Sequence, residues 1–519
     1  MDIHVQGPVV LGLPGFFEPA VTGGEGGTGA GGKGAKGGTG GRGAPSLRLL
    51  VGGEWRPAAS GEEFDVTSPI DGSVIARAAK ASTDDVGEAI AAARRERERF
   101  RGMPAAARLE ICSRAAEILG DHLDDFVGAI VADIAKTPEQ AGSEVKATRE
   151  RLGLAREEVR KIFGEYLPGD WIGDTVGKSA VVLREPVGTV AAFGPFNYPL
   201  FLAASKIIPA LAAGNTVVAK APSDDPVPLV MFARVLEEAG LPPGVLNVVT
   251  GPGGEIGELL ATHPDVSMIS FTGSTAVGRS IAAAAGPKPM HLELGGNAAA
   301  VVLADADLEL AVEKSVLGAF KNAGQRCDAI SRVLVEEPLY DAYVERALKE
   351  ADRWPVGDPR AEGTKVGPLV TPRSAERVAA LVADAVDKGA ELLAGGAVSS
   401  AYHEPTVLAG VPLEAEIVWE ETFGPVLTIV PVADLDAAVE VANRSRYGLD
   451  SSVFTTDLDN AWRVARALEV GQVTVNDAPA HGVGHFPFGG RKPDSGIGRE
   501  GLGYSIDECT VLKTVVIPG

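Results

Sequence analysis

The chain has 519 residues, with 48 basic and 70 acidic side chains, 45% hydrophobic residues and three cysteines. Its formal net charge of −22 argues against a nucleic-acid partner, because neutralising phosphates needs a basic footprint. Cys112, Cys327 and Cys509 are too few and too scattered for a disulfide framework or a zinc site, so the expectation is a cytoplasmic protein without metal.

In chain order, the opening Met-Asp-Ile-His lacks the basic and apolar regions of a signal peptide. Residues 1–46 read as a disordered tail, because Thr22 to Ala44 is glycine at about every second position and buries too little surface to offset its ordering entropy. Gly29-Ala30-Gly31-Gly32-Lys33-Gly34 fits the G-x-G-x-x-G dinucleotide pattern. It follows no strand and opens no helix, so the match is read as chance. From Leu47, "LRLLVGGEWRPA" predicts a strand, a Gly-Gly turn and a second strand. Ser82-Thr83-Asp84 caps a helix with a charged outer face, and Pro104 opens another to about Leu119. Further helical segments run to about Phe163.

Between Val187 and Ala219 the only charge is Lys206. Gly194, Pro195, Asn197, Pro199, Pro209, Gly214 and Asn215 interrupt this stretch, which predicts a buried strand, loop, helix and strand rather than a membrane span. "TVAAFG", "NTVVAK", "LNVVTG" and "SMISFTG" are short apolar runs separated by helical spans, the pattern of a parallel sheet covered by helices. "AAAVVLA", "SRVLVEE" and "VLTIVPV" predict a second α/β unit after about residue 295.

Three residues offer chemistry. Cys327, in "FKNAGQRCDAI", follows Arg326, which is expected to lower the thiol pKa and make a usable nucleophile. Glu293, in "HLELGGN", precedes two glycines that let backbones close over it, and a desolvated carboxylate suits abstraction of a proton from water. Asn197, in "GPFNYPL", presents an amide able to donate to an oxyanion. Taken singly, each also suits a structural role: an inert thiol, a locally paired carboxylate, a turn amide.

Asn197, Lys220, "FTGSTAVG", Glu293, Cys327, "EETFGPV" and "FPFGGRKPDSGIGREG", in that order, resemble the aldehyde dehydrogenase superfamily over about residues 47 to 517. "AFGPFNYPLF", "AGQRCDAISRVLV", "LPGDWIGDT" and "NDAPAHGVGHFPFGGRK" are most similar to archaeal-type non-phosphorylating glyceraldehyde-3-phosphate dehydrogenases. The resemblance implies an α/β fold of two Rossmann-like parallel-sheet domains with a small β oligomerisation arm. A cofactor domain is expected over 47–166 and 185–294, and a catalytic domain over 295–475. Residues 476–500 would return to the cofactor domain, and 167–184 with 501–519 would form the arm of a homodimer or homotetramer.

It further implies that Cys327 attacks an aldehyde, that Asn197 holds the oxyanion, that Glu293 activates the hydrolytic water, and that Lys206 and Glu500 relay protons. NAD or NADP would be held by Phe196, Lys220, Ser223, Gly273, Ser274, Glu421 and Phe423. Phe196 stands where many relatives have Trp. Ser223 stands where NAD-preferring relatives carry Glu, which removes a repulsion against a 2′-phosphate; Asp224 and Asp225 restore some of it if they point inward. Tyr198 and Arg326 match phosphate-contacting positions, while His481 replaces a further Arg. The expected substrate is a small anionic aldehyde such as glyceraldehyde 3-phosphate. Lactaldehyde, succinic semialdehyde, phosphonoacetaldehyde and sulfolactaldehyde are alternatives, as are coenzyme A-dependent acylation and a non-catalytic role for the fold.

Overall fold

The computed structural model of the chain describes residues 1, 3–7, 9, 11, 44–482 and 484–519. Strands β1 (Leu49–Val51) and β2 (Glu54–Arg56) form the predicted hairpin, turning at Gly52 and Gly53 with φ of 66° and 91°. A two-residue turn of that hand matches the right-handed twist of the strands and favours glycine. Helix α1 (Thr83–Arg101) starts at the predicted cap. The Ser82 hydroxyl accepts the Asp85 N–H, and the Asp85 carboxylate accepts the Ser82 N–H in return. Two more helices lead to α2 (Pro138–Val159).

Then follow β3 (Glu165–Pro168), β4 (Lys178–Pro186), β5 (Thr189–Phe193), α3 (Phe201–Ala213), β6 (Thr216–Lys220), β7 (Leu246–Val249), β8 (Met268–Thr272), α4 (Thr275–Ala285) and β9 (Met290–Glu293). The apolar stretch 187–219 is therefore strand, loop, helix and strand. Among the described residues no helix is long and apolar enough to cross a membrane. The second half contributes β10 (Ala298–Val302), β11 (Ile330–Glu336), β12 (Glu391–Ala394), β13 (Thr406–Ala409), β14 (Val426–Val432), β15 (Asp450–Phe454) and β16 (Gln472–Val475). The chain closes with β17 (Gly496–Ile497), α5 (Leu502–Glu508) and β18 (Thr510–Pro518).

These strands make two large sheets, ordered β17-β9-β8-β5-β6-β7-β1-β2 and β12-β13-β14-β11-β10-β15-β16. In the first, β9 through β7 run parallel, with antiparallel strands only at the two edges. Every residue of β5, β6, β7 and β8 is buried, because helices cover both faces and leave no polar side to alternate with. The fold class is the expected pair of Rossmann-like parallel sheets. One hydrophobic core gathers around Phe126, Leu211 and Phe232, and another around Phe320, Val333 and Phe454. β17 lies on the edge of the first sheet, so its pairing with β9 brings the 476–500 segment over the end of that strand.

A third sheet, β18-β4-β3, is held by a nine-residue ladder from Thr510↔Pro186 to Pro518↔Lys178. The Gly29–Gly34 motif lies outside the described residues. At the start of the expected tail, Val9 and Leu11 are buried in the same core as Ile70 and Ile75, and the Asp71 carboxylate accepts the Val9 N–H at 3.0 Å. There the chain packs against the body instead of trailing free.

Candidate active site

Cys327 is presented by a tight loop between the helix at Leu308–Phe320 and β11. Asn322, Ala323 and Gly324 lie consecutively in the left-handed region, with φ of 56°, 53° and 71°. That conformation strains any residue with a Cβ, and strain of this kind persists where surrounding contacts over-determine it. At Gly324 a Cβ would lie 2.1 Å from the Gly424 carbonyl, so only glycine fits. Asn322 Nδ2 donates to the Asn197 carbonyl at 3.2 Å, and Asn197 Nδ2 donates to the Gln325 carbonyl at 3.1 Å. The loop after β5 and the cysteine loop are thereby tied together, and the Asn197 amide lies over the residues leading into Cys327.

Cys327 is partly accessible, whereas Cys112 and Cys509 are buried. Burial pushes the Cys327 thiol well above its usual pKa, and the nearby Asp328, Glu293 and Glu421 carboxylates push it further; Arg326 pulls the other way. The expected lowering by Arg326 is thus overturned. The guanidinium is committed elsewhere, donating from Nε to Asp328 Oδ1 at 2.9 Å and from Nη2 to the Pro479 carbonyl at 2.8 Å.

Glu293 ends β9 and is buried. Neither carboxylate oxygen has a hydrogen-bond partner. Burial, then the charge of Glu500, raise its pKa well above the carboxylate range, against a smaller pull from Lys206 and Arg499. Glu500 is equally buried but lies 3.3 Å from Lys206 Nζ, 3.2 Å from His481 Nε2 and 3.7 Å from Arg151 Nη2. Burial alone would raise it; Lys206, His481 and Arg151 overcome that and hold it well below the usual range. His481 also stacks beside Phe488 and Phe201, at centroid distances of 4.5 and 5.3 Å. One imidazole nitrogen therefore faces the buried Glu500.

Tyr198 is half-buried beneath Lys136, whose Nζ sits 3.3 Å from the ring centroid. Lys136 is paired at 2.6 Å with Glu144, and the other oxygen of Glu144 accepts the Leu200 and Phe201 N–H groups at 3.0 Å each. A buried carboxylate thus caps the start of α3, the helix that carries Lys206.

Of the residues expected to hold the cofactor, Lys220, Ser223, Gly273 and Ser274 lie at or just beyond the carboxyl ends of β6 and β8, where open α/β sheets bind ligands, while Glu421 and Phe423 precede β14. Lys220 ends β6, buried, with Nζ bonded to the Ala221 carbonyl at 2.9 Å and Ser223 Oγ at 3.0 Å. Burial lowers its pKa to about 8, against the pull of Asp224 and Asp225. Asp225 points inward, with both oxygens unpartnered, while Asp224 is exposed. Burial and the neighbouring Asp133 and Asp224 push the Asp225 carboxyl well up, against a pull from Lys220, which weakens its repulsion of a 2′-phosphate. Gly273 follows β8, and the Ser274 hydroxyl caps α4. The first turn of α4 is open, with Ser274, Ala276 and Val277 exposed; the Val277 N–H donates to Ser274 Oγ, and the N–H groups before it face the side on which a pyrophosphate would bind. Glu421 accepts the Gly296 N–H at 3.0 Å and burial raises its pKa to about 7. Phe423, at a strained φ of 50°, meets Phe196 edge to face at 5.7 Å. These residues fit a dinucleotide.

The sequence reading passed over His291, Arg151, Lys136, Glu144 and Asp328. His291 had a signal. It lies two residues before Glu293 on one strand, and positions two apart point to the same face. Arg151 carries none: it is an ordinary helix residue in sequence, yet all three guanidinium nitrogens are buried without hydrogen-bond partners.

The model of the aldehyde dehydrogenase family matches residues 55–515. The chain belongs to the aldehyde dehydrogenase family. As a member it is an NAD(P)-dependent oxidoreductase acting on aldehydes. It is 37% identical over 469 residues to the 3-sulfolactaldehyde dehydrogenase of Priestia aryabhattai, covering 90% of this chain and 97% of that one. It is 38% identical over 467 residues to the NADP-dependent glyceraldehyde-3-phosphate dehydrogenase of Streptococcus equinus, covering 90% and 97%. Among solved structures, the NADP-dependent glyceraldehyde-3-phosphate dehydrogenase of Bacillus halodurans complexed with NADP superposes with a TM-score of 0.89. That pair is 36% identical, and 91% of this chain and 99% of that one are covered.

Proposed function

We propose that this aldehyde dehydrogenase oxidises a small anionic aldehyde to its carboxylic acid through a thioester on Cys327. The supporting observation is that the Asn197 amide is bonded to the loop leading into Cys327, while Glu293, buried without a hydrogen-bond partner, lies close enough for its charge to act on the thiol. In this reading the Cys327 sulfur attacks the aldehyde carbon, and the Asn197 amide with the Cys327 N–H holds the oxyanion. Bound NAD or NADP supplies the hydride acceptor, and Phe196, Lys220, Ser223, Gly273, Ser274, Glu421 and Phe423 would hold it. Glu293, whose raised pKa makes it a stronger base than an exposed carboxylate, takes a proton from the water that hydrolyses the thioester. That base favours hydrolysis over transfer to coenzyme A. Ser223 bonded to Lys220, with the Asp225 carboxyl pushed up by burial, supports acceptance of NADP beside NAD.

Arg326 and Tyr198 border the nucleophile and are the candidate anchors for the anionic head. Asp328 already offsets the Arg326 charge, which favours one negative charge over two. Relatives named for sulfolactaldehyde, glyceraldehyde 3-phosphate and succinic semialdehyde all support this class. Tyr166, Leu167, Leu512 and Val516 are exposed on the β18-β4-β3 sheet, which supports its use as the arm of a homodimer or homotetramer. Three free cysteines support a cytoplasmic setting.

A kinetic panel tests the reading: reduced nicotinamide is followed with each aldehyde alone, without coenzyme A, with Cys327→Ser as control. Sulfonate- or carboxylate-bearing aldehydes should exceed alkyl aldehydes in kcat/KM by about tenfold or more, the worth of one well-placed ion pair. Alkyl aldehydes winning throughout, or turnover only with coenzyme A, would overturn it.

A further inference from the structure

Buried polar groups normally find partners, and two that face each other without one call for a reason. Glu293 Oε1 and His291 Nε2 are both buried, both lack a hydrogen bond, and lie 3.5 Å apart. The other imidazole nitrogen is fixed: His291 Nδ1 lies 2.5 Å from Glu508 Oε2. A neutral ring that gives its Nδ1–H to Glu508 presents Nε2 to Glu293 as an acceptor; with a second proton, on a ring set between carboxylates, Nε2–H points at Glu293. The Glu508 carboxylate is itself anchored, its Oε1 accepting the Arg499 N–H at 2.9 Å, and its side chain reaches solvent at 29% exposure.

We propose that His291, oriented by Glu508, is a positioning residue that keeps Glu293 in the ionised form able to activate water. This rests on the reading of Glu293 as the hydrolytic base. The groups facing His291 are Glu293 on its own strand, Glu500 in the segment after β17, at 4.0 Å, and Glu508 on α5. Lys206 and Arg499 act on Glu293, while Arg151 and His481 are committed to Glu500. His291 is thus the one imidazole within ion-pair distance of the base among the described residues. A nearby donor stabilises the charged form of a carboxylate and so offsets part of the burial that raises it.

The test separates acylation from hydrolysis in His291→Gln and Glu508→Gln. Loss of the donor raises the Glu293 pKa, so less of the base is ionised at a given pH. The acid limb of steady-state kcat should therefore move up by about one pH unit in His291→Gln, a fall of about tenfold near neutral pH. Rates should converge with wild type at high pH, and the burst of reduced nicotinamide should keep its rate and amplitude. Glu508→Gln removes the anchor of the ring but also a charge that raises Glu293, so it should move the limb by less than His291→Gln; His291→Asn should move it as His291→Gln does and decides the matter alone if His291→Gln does not fold. An unmoved pH profile, or an equal loss at every pH, overturns the proposal. Failure of the underlying reading looks different: wild type then gives no burst with any aldehyde. The pH profile of p-nitrophenyl acetate turnover still reads His291 in that case, through hydrolysis of the acetyl-enzyme.

Discussion

The candidate site holds two buried glutamates, one unpaired and one paired, and their surroundings are opposites. Glu293 has no hydrogen bond to either oxygen and is pushed up by burial; Glu500, beside Lys206, Arg151 and His481, is pushed down. Pairs of titratable groups driven apart by their surroundings mark acid–base roles. The unpaired side is arranged for proton abstraction at some cost in stability. The paired side holds charge, and removing one member of a buried cluster leaves the others uncompensated.

The strongest way to break this contrast is Glu500→Gln. Two buried cations, Lys206 and Arg151, would lose their counter-charge, so stability should fall by about 3–5 kcal/mol, read by denaturant unfolding. A variant as stable as wild type would show that the paired side is not structural. Ser223→Glu sharpens the contrast by placing a carboxylate beside the buried Lys220, as Glu500 stands beside Lys206. The ratio of kcat/KM for NAD over NADP should rise by about tenfold to a hundredfold, because like charge opposes the 2′-phosphate. An unchanged ratio would remove Ser223 from cofactor choice.

Asp225 resembles Glu293: buried, unpartnered and raised by burial. The unfolded carboxyl ionises at its ordinary value while the folded one resists, so stability is fully present below that ordinary value and is lost as pH rises from it toward the raised one. Asp225→Asn should therefore leave the melting temperature near that of wild type at about pH 4 and raise it by about 2–4 °C at neutral pH. A gain at pH 4 but none at neutral pH would contradict the assignment.

Much of this contrast was legible before any coordinates. Caps, glycine turns and apolar runs are local signals, so the hairpin at Gly52, the cap at Ser82 and the strand–helix–strand unit at 187–219 appeared as expected. Cys327, Glu293 and Asn197 stood out through motif context. The partners did not, because they meet across long sequence separations. Lys206 joins Glu500 across 294 positions and His291 joins Glu508 across 217. The same reason explains the thiol: proximity of Arg326 in sequence said nothing of Asp328 and Pro479 taking up its guanidinium.

The central claim is that Glu293 acts in hydrolysis and not in hydride transfer, and pre-steady-state kinetics of Glu293→Gln tests it most directly. The side chain has no partner to lose, so the variant should fold as wild type. In wild type, steady-state turnover should rise with pH from about 6 to 9, since the base and the thiol are both raised and both act deprotonated. In Glu293→Gln the burst should remain near one reduced nicotinamide per active subunit, while steady-state turnover falls by about a hundredfold or more. Loss of the burst together with turnover, or full turnover without the carboxylate, would contradict the account.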